Sequence, residues 1–296
     1  MDEQAKRITM VKKVLVTGHT GLIGRHLFEK LKAAGFEVEG LNRESHSGGV
    51  LNKELVHSLI AGKDTVFHLA ANAYIYLAQS QPALDCELNV IGSLNVIEGC
   101  VKAGAKLIFP STIHVYAFPE REGSVLSESS KIEPVEFYGV GKLAVENYMR
   151  VFNRQSSLRG IVLRLPWVYS KSLRRRRGLL ADLAYADSLP VHLHHAFQDI
   201  FDYVHVDDVV RAMMIAAESP VDFGIFNISS GKAVTCRQVV DLFGKDAVEK
   251  SSHRNHRAVL DNSLARQVLG WQPEHDFFTD FNTLMPSWRE VKSSTA

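Results

Sequence analysis

The segment from Val14 to Gly24 constrains the fold of this chain more than any other. It reads VLVTGHTGLIG: a β-branched apolar run ends at a turn, and glycines recur at positions 18, 21 and 24. The first glycine permits a tight turn, the second lets a pyrophosphate approach the backbone, and the third lets a helix pack closely on a strand. Free amides at the start of that helix favour an anion. The pattern predicts a dinucleotide site rather than a turn without a ligand, with contacts from Gly18, Thr20, Gly21, Leu22, Ile23 and Gly24.

Alternating apolar and amphipathic segments extend this unit along the chain. Short apolar runs predict five strands, at residues 11–16, 37–41, 65–70, 107–110 and 161–165. Helical spacing predicts two helices, at residues 22–34 and 90–103. After about residue 231 the alternation weakens, and LGWQPEHDF indicates a loop-rich closing segment. Because strands alternate with helices, the predicted fold class is α/β, with a doubly wound parallel sheet and right-handed crossovers.

Composition excludes several classes of protein. The 296 residues carry 34 Lys and Arg against 33 Asp and Glu, which argues against a globally basic nucleic-acid binder. No apolar run approaches the roughly 20 residues of a spanning helix, and residues 1–10 are expected to form a flexible lead-in. Three scattered cysteines predict small buried side chains rather than disulfides or a metal site. We therefore expect a cytoplasmic protein with no membrane, nucleic-acid or metal partner.

The end of the second predicted strand selects between two dinucleotides. An acidic residue there holds the ribose hydroxyls of NAD, whereas an arginine suits the 2′-phosphate of NADP. Here the strand ends at Leu41, Asn42 and Arg43, with no carboxylate at its tip. Arg43 could form a charge-assisted contact with the phosphate, or it could be a solvated loop residue. The sequence thus favours NADP(H) and leaves NAD(H) open, with Asn42 and Arg43 as cofactor-binding residues.

A second chemical signal is Tyr138-Gly-Val-Gly-Lys142, which opens a predicted helix. Residues four apart share a helix face, so the ammonium group of Lys142 can lie near the hydroxyl of Tyr138. A nearby positive charge favours the phenolate of a tyrosine, whose pKa is ordinarily about 10. Ser111 and Thr112 end an intervening predicted strand. Together these residues indicate acid–base chemistry on a bound ligand.

With these residues in place, the chain resembles the extended short-chain dehydrogenases/reductases of the NAD-dependent epimerase/dehydratase type. Segments between residues 11 and 273 match family landmarks in order: TGHTGLIG, HLAA, LNVIGSLNVIEGC, PSTIHVYA, FYGVGKLAVE, IVLRLPWVY, DYVHVDDVV, FNISSGKAV and LDNSLARQVLGWQP. The resemblance implies a Rossmann-type dinucleotide domain at residues 11–168 and about 199–230. It also implies a smaller substrate domain at about 169–198 and 231–296.

The resemblance also implies a catalytic set. Thr112 would hydrogen-bond the reacting oxygen, Tyr138 would transfer its proton, and Lys142 would hold the nicotinamide ribose and lower the pKa of Tyr138. Ser111 would be either a supporting residue or a strand-end hydroxyl bonded to backbone. Further positions of the cofactor cleft are occupied by Leu69, Ala70, Ala71, Asn89, Pro110 and Leu165. By the same analogy the chain forms a homodimer through the helices that carry residues 89–103 and 142–152.

Residues 113 and 114 bear on the type of reaction. Dehydratases of the family carry Asp-Glu directly after the catalytic threonine, where this chain has Ile113 and His114. Isoleucine cannot exchange a proton, so dehydration is disfavoured. His114 stands where bifunctional epimerase–reductases of GDP-sugars carry an acid/base residue, and an imidazole titrates in the useful range. If the strand continues this far, His114 points the same way as Thr112; the alternative is a loop histidine that faces solvent.

Other departures from the family concern the substrate. Sugar epimerases usually carry Asn where this chain has Trp167, and Trp-Val-Tyr is similar to the 4-ketosugar reductases that complete dTDP-rhamnose. Phe201 stands where the family usually has an arginine that clamps the diphosphate, and together with Trp167 it weighs against a nucleotide-diphosphate substrate. The arginines at 174–177, Arg254 or Arg257 could supply another clamp, and the run at 174–177 could instead form a solvated loop. The predicted substrate-binding residues are Asn72, Thr112, His114, Trp167, Arg174 and Arg254.

The whole pattern predicts an NAD(P)-dependent oxidoreductase or isomerase that transfers hydride at a sugar carbinol or ketone. A nucleotide-sugar epimerase and a 4-ketosugar reductase both fit. His192, His194 and His195 are interpreted as strand or pocket residues, because no carboxylate or thiol is evident at metal-ligand spacing. The alternative function is a non-catalytic regulatory or scaffold protein that binds the cofactor, since a fold does not determine a function.

Overall fold

The computed structural model describes residues 12–117, 123–172, 178–186, 188–249 and 258–290. This part of the chain contains thirteen strands: β1 (Lys13–Thr17), β2 (Glu37–Leu41), β3 (Thr65–His68), β4 (Lys106–Thr112), β5 (Ser124–Leu126), β6 (Gly160–Leu165), β7 (Trp167–Tyr169), β8 (Val191–Leu193), β9 (Ile200–His205), β10 (Phe223–Asn227), β11 (Ala233–Thr235), β12 (Ala247–Glu249) and β13 (Ala258–Leu260). The same part contains eleven α-helices: α1 (Leu22–Ala33), α2 (Lys53–Ile60), α3 (Ile75–Ser80), α4 (Pro82–Cys86), α5 (Gly92–Ala103), α6 (Phe137–Ser156), α7 (Leu179–Ala184), α8 (Val206–Glu218), α9 (Cys236–Phe243), α10 (Ser263–Leu269) and α11 (Phe277–Glu290).

A six-stranded parallel sheet confirms the predicted α/β fold. Its strands lie in the order β2-β1-β3-β4-β6-β10, and each neighbouring pair is parallel. Successive strand residues face opposite sides, so Val14 and Val16 pack with α1 and α8, whereas Leu15 packs with α2, α5 and α6. Because helices cover both faces, these strands appear in the sequence as continuous apolar runs.

A second hydrophobic core lies around the three-stranded sheet β7-β9-β11. In it, side chains of α7, α9 and α11 pack with Phe201 and Trp288. The segment after about residue 231 contains more helices and strands than predicted. The amphipathic spacing of α9 was not recognised in the sequence. The predicted loop does occupy residues 270–276, where Trp271 is fully buried in the first core. The division into two domains stays a prediction.

β4 ends with Ser111 and Thr112, where the sequence places them. Three details of the sequence prediction are corrected. The strand predicted at residues 65–70 ends at His68, and a turn of π-helix, Glu87–Ile91, precedes α5. Cys86 is exposed on α4, while Cys100 and Cys236 are buried as expected. Among the described helices, none is both long and apolar enough to cross a lipid bilayer.

A buried ion pair joins α6 to the sheet. Arg164 of β6 donates from Nη2 and Nε to the two carboxylate oxygens of Glu146, at 2.6 and 3.1 Å. The hydroxyl of Ser111, near the end of β4, donates to the same carboxylate at 2.5 Å, and Arg164 also donates to Tyr116. All four side chains are buried. Ser111 thus bonds a side chain rather than the backbone, and it helps to fix the helix that carries the predicted catalytic tyrosine and lysine.

We predict that Arg164→Met lowers the free energy of unfolding by about 3–5 kcal/mol, because it leaves the carboxylate of Glu146 buried without its cation. The double variant Arg164→Met with Glu146→Leu should lose less stability, since it removes both charges. Denaturant unfolding followed by circular dichroism measures both effects. A single variant as stable as the wild type would contradict the role of this pair.

Candidate active site

The carboxyl ends of β1, β3, β4 and β6 open onto a cleft of about 320 Å³. The cleft brings together fourteen predicted site residues: Gly18, Gly21, Leu22, Ile23, Gly24, Leu69, Ala71, Pro110, Thr112, His114, Tyr138, Lys142, Leu165 and Trp167. Apolar residues that were not predicted also line it, among them Ala73, Ile75, Pro166 and Val168. Such residues carry no chemical signature in a sequence, so only the fold reveals them.

Other predicted site residues do not line this cleft. Thr20 and Arg43 line an adjoining cavity. The backbone N–H of Ala70 donates to Thr17, and the side-chain oxygen of Asn42 accepts from Ser45. Arg174 and Arg254 lie outside the described residues, as do Arg257 and the other three arginines of the 174–177 run.

The turn between β1 and α1 permits a very close approach of backbone segments. Gly18 has a φ of +70°, and a Cβ atom there would lie 2.7 Å from the backbone nitrogen of Ala70. A Cβ atom on Gly24 would collide with the carbonyl oxygen of Gly18. Gly21 is the N-cap of α1 and offers no side-chain cap, so the first amides of this helix are available to an anion. The turn therefore fits a dinucleotide pyrophosphate.

Lys142 lies at the base of the cleft and is only 4% exposed. Its Nζ donates to the carbonyl oxygen of Pro110 at 2.9 Å and lies 5.9 Å from the ring centroid of Tyr138. Burial lowers the pKa of Lys142 to about 8, and the carboxylates of Asp85 and Glu146 oppose this change. The structure thus places a cation beside the tyrosine, as the four-residue spacing predicts.

Asp85 is a buried carboxylate that was not predicted. It accepts hydrogen bonds from the side-chain amides of Asn72 at 2.7 Å and Asn89 at 2.9 Å. Asn89 also accepts from the backbone N–H of Asn72 at 2.7 Å. Burial raises the pKa of Asp85, while the bond from Asn72 and the charge of Lys142 act in the opposite direction. Asn72 and Asn89 therefore hold the carboxylate that faces the charge of Lys142.

His114 enters the cleft by a different route from the one expected. β4 ends at Thr112, and a 3₁₀ turn, Ile113–Val115, follows it, so the predicted continuation of the strand to His114 is wrong. The turn forms because Thr112 Oγ1 accepts a hydrogen bond from the backbone N–H of His114 at 3.3 Å. His114 is 7% exposed and lines the cleft, which excludes the solvent-facing alternative.

The adjoining cavity, of about 530 Å³, shares Trp167 with the cleft. Trp167 meets Phe201 edge to face, with ring centroids 5.0 Å apart, and Phe201 stacks on Tyr203 at 5.7 Å. Arg43 is exposed and lines this cavity near the glycine turn. The cavity thus combines an aromatic wall with a cationic side chain.

Histidines outside the cleft have structural partners. His195 Nδ1 lies 3.6 Å from the buried carboxylate of Asp199. Asp199 follows His195 by four residues, and this pairing was not recognised in the sequence. The ligand atoms of His205, His275 and Asp280 lie within 4.8 Å of one another, close enough to consider a metal. Yet His205 Nδ1 accepts from a backbone N–H and caps α8, and Asp280 accepts from Tyr169 at 2.7 Å.

Residues 14–229 match the model of the NAD dependent epimerase/dehydratase family. The chain belongs to this family. The match spans the glycine turn, the tyrosine–lysine pair and the strands that position them, which confirms the resemblance found in the sequence.

Similar proteins in this family include epimerases and a reductase. The chain is 27% identical over 294 residues to a UDP-glucose 4-epimerase of Mycolicibacterium smegmatis, covering 88% of this chain and 94% of that protein. It is 26% identical over 237 residues to a dTDP-4-dehydro-6-deoxyglucose reductase of Escherichia coli, covering 75% and 74%. The solved UDP-glucose 4-epimerase of Thermus thermophilus in complex with NAD superposes with a TM-score of 0.79 at 29% identity, covering 94% and 99%.

We predict that Asp85→Asn lowers the pKa of Lys142 below its value of about 8 in the wild type, because the carboxylate stabilises the ammonium form. The ¹³Cε chemical shift of Lys142, assigned with Lys142→Arg, follows this titration. Asp241→Asn, a change on the exposed face of α9, serves as the control. A titration unmoved by Asp85→Asn would show that the two groups are not coupled.

Proposed function

We propose that the protein transfers hydride at a secondary carbinol or ketone of a nucleotide-linked sugar, as a 4-epimerase or a 4-ketosugar reductase. The observation that carries this proposal is the presence of Thr112, Tyr138 and Lys142 in one cleft with the glycine turn. The relatives named above act on sugars of this class.

The three side chains divide the chemistry between them. Thr112 donates a hydrogen bond to the reacting oxygen. Tyr138 gives that oxygen a proton when a ketone is reduced and removes the proton when a carbinol is oxidised. Lys142 favours the phenolate of Tyr138 by its charge and holds the cofactor ribose. A bound nicotinamide dinucleotide supplies or accepts the hydride.

Two reactions use this same set of groups. A reductase reduces the ketone once, whereas an epimerase oxidises the carbinol and then reduces the ketone on its other face. Ile113 weighs against dehydration, because it is buried among apolar side chains and cannot exchange a proton. The choice between epimerase and reductase depends on whether the cofactor stays bound or exchanges.

Arg43 supports NADP(H) as the preferred cofactor. It follows β2, whose last residue, Leu41, accepts a hydrogen bond from the backbone N–H of Gly18 at 2.7 Å. Arg43 is thereby close to the glycine turn and lines the same cavity as Thr20 and Gly21. An exposed guanidinium there can pair with a 2′-phosphate. NAD(H) remains the alternative cofactor, and it is the one named in the family description.

The part of the adjoining cavity next to Trp167 is the proposed site for the nucleotide end of the substrate, whereas the part next to Arg43 and the glycine turn is assigned to the cofactor. It begins at Trp167, which lines the catalytic cleft as well. The ring of Trp167 is half-buried and lines this cavity, so a uracil or thymine base can stack on it, while Phe201, only 1% exposed, packs edge to face against Trp167 and supports it. Phe201 in place of a clamping arginine leaves the diphosphate to other cations, for which Arg174 and Arg254 stay predictions.

We also propose that the protein forms the homodimer that the family resemblance implies. Apolar side chains remain exposed on and beside α6, including Val140 at 51%, Tyr148 at 43% and Val151 at 45%, and Ile91 at 48% precedes α5. A second copy of the chain that covered these helices would remove this surface from water.

We predict that Tyr138→Phe lowers the turnover of the sugar substrate by about 10²–10⁴-fold, because it removes the proton donor and keeps the ring. Folding and dinucleotide binding should persist. Tyr148→Phe makes the same chemical change on α6 outside the lining of the cleft and keeps the ring that the proposed dimer would cover, so it should retain full turnover. Near-normal turnover of Tyr138→Phe would refute the proposed mechanism.

We predict that Arg43→Ala weakens the binding of NADPH by about 10- to 100-fold and leaves that of NADH nearly unchanged, as expected for one lost charged hydrogen bond. Titration calorimetry with both cofactors measures the difference. Lys53→Ala, which removes an exposed cation on α2, is the matched control. Equal weakening of both cofactors would show that Arg43 does not discriminate between them.

A further inference from the structure

The adjoining cavity has a basic side chain at the end away from the glycine turn. Of the described residues that line this cavity, three can carry a positive charge: Arg25, Arg43 and His195. Arg25 belongs to α1 and Arg43 follows β2, so both lie near the glycine turn. His195 lies instead beside Phe201, with the ring centroids 5.0 Å apart and the rings edge to face. His195 is therefore the basic residue nearest the aromatic side chains at the proposed nucleotide end.

A buried carboxylate lies behind the ring of His195. The Oδ2 atom of Asp199 is 3.6 Å from His195 Nδ1, and the side chain of Asp199 is 0% exposed. The Nδ1 atom is buried as well, yet the side chain of His195 keeps 18% of its surface and lines the cavity. The cavity wall is thus formed by the side of the ring opposite Nδ1, which is the side that carries Nε2.

Backbone hydrogen bonds fix Asp199 in this position. Its Oδ2 atom accepts from the backbone N–H of Ala196 at 3.1 Å, and its own N–H donates to the carbonyl oxygen of Ala196 at 3.0 Å. Its carbonyl oxygen accepts from the N–H of Cys236, which begins α9. The Oδ1 atom accepts no hydrogen bond from any residue that the structure describes. One backbone amide does not compensate a fully buried carboxylate, so a neighbouring cation is needed to keep its charge.

Other ionisable groups surround the pair of His195 and Asp199. They are His194 in the same loop, Asp182 on α7, Cys236 and Arg237 on α9, and Glu249 on β12. Burial raises the pKa of Asp182, which the charges of His194 and His195 oppose, and burial raises the pKa of Cys236 to about 12, so it stays a thiol. Glu249 accepts from the backbone N–H of Phe197, and Arg237 lies over the ring of Phe197.

The carboxylates near His195 do not themselves meet a ligand in the cavity. Neither Asp182 nor Asp199 is among the residues that line it. The imidazole ring lies between Asp199 and the cavity, so a ligand there meets the ring and not the carboxylate. An imidazolium ion at this position can satisfy Asp199 on one side and an anionic ligand on the other, because both of its nitrogens are donors.

We propose that His195 binds the diphosphate of the substrate as an imidazolium ion that donates from Nε2, and that Asp199 is its positioning residue. This inference rests on the nucleotide-linked substrate of the proposed function. Phe201 offers no charge to a diphosphate, and the imidazole beside it supplies the cation. A charged donor forms a shorter and stronger hydrogen bond with a phosphate oxygen than a neutral donor does. Binding of the substrate should therefore weaken when His195 loses its proton.

The test compares ligands with and without a diphosphate at two pH values. The probes are UDP-glucose and dTDP-glucose, whose phosphate charges do not change in this range, and the nucleosides uridine and thymidine. Titration calorimetry measures the dissociation constants at about pH 6 and about pH 8, on either side of neutrality. All proteins carry Tyr138→Phe, so that the sugar is not turned over. We expect at least one sugar nucleotide to bind roughly 10-fold more tightly at the lower pH, and the nucleosides to show no such change.

Three variants assign the effect to its residues. His195→Gln should weaken the binding of that sugar nucleotide by about 10- to 100-fold at the lower pH and remove its pH dependence. Any dependence that remains belongs to Asp182, which this variant retains. Asp199→Asn should move the tightening to lower pH, because the imidazolium loses its carboxylate. His192→Gln, a change at an exposed residue of β8 that lines neither cavity, is the matched control and should bind as the parent does.

The ¹⁵N chemical shifts of His195 provide a readout that needs no variant at Asp199. Both ring nitrogens should carry protons when the sugar nucleotide is bound at the lower pH. A neutral ring in that complex would overturn the inference, even if Asp199→Asn fails to fold.

The remaining outcomes separate this inference from the proposed function. Binding of both sugar nucleotides that is independent of pH, or unchanged in His195→Gln, would overturn the inference and leave hydride transfer standing. Binding that depends on His195, together with no hydride transfer to or from either sugar in protein that retains Tyr138, would support the inference and refute the proposed function. Absence of binding by both sugar nucleotides would overturn the inference, and absence of hydride transfer as well would refute both.

Discussion

The geometry of the cleft depends on the buried ion pair between Glu146 and Arg164. Tyr138, Lys142 and Glu146 are spaced four residues apart on α6, so they share one face of the helix. Glu146 anchors that face to β6 through Arg164 and to β4 through Ser111. The anchor fixes how α6 is rotated about its axis, and thereby sets where the tyrosine and the lysine meet the end of β4.

The same anchor contributes to the electrostatics of the cleft. Burial alone would drive Lys142 toward its neutral form, and Glu146 and Asp85 oppose that tendency. Asp85 is in turn held by two side-chain amides, those of Asn72 and Asn89. The protein therefore keeps a cation beside Tyr138 by placing near it two carboxylates, Asp85 and Glu146, that are themselves hydrogen-bonded to neighbouring side chains. A lysine in an apolar cleft with no carboxylate nearby would not keep its charge.

The sequence predicted the parts of the site whose chemistry depends on local spacing. The glycine turn and the pair of Tyr138 and Lys142 are such parts, because both patterns lie within one strand–helix junction or one helix. The contacts of Asp85 with Asn72 and of Glu146 with Arg164 were beyond prediction, since they form between elements that only the fold brings together. His114 was assigned to the cleft by the family resemblance, and a shared face with Thr112 was predicted only if the strand continued to residue 114. It reaches the cleft through a 3₁₀ turn, which the hydrogen bond from its own amide to Thr112 stabilises.

We propose that this cleft transfers hydride between a dinucleotide and a sugar. The most direct measurement uses UDP-glucose deuterated at C4 with NAD⁺ or NADP⁺, and NADPH deuterated at C4 of the nicotinamide with dTDP-4-dehydro-6-deoxyglucose. Mass spectrometry of sugar and cofactor then locates the label. Either deuterium passes from the cofactor to the ketosugar, or UDP-glucose deuterated at C4 is converted to its 4-epimer with the label back at C4, because the bound cofactor returns the hydride; we expect both processes to cease in Tyr138→Phe. A folded protein that binds the dinucleotide yet neither labels the ketosugar nor inverts C4 would contradict hydride transfer in this cleft.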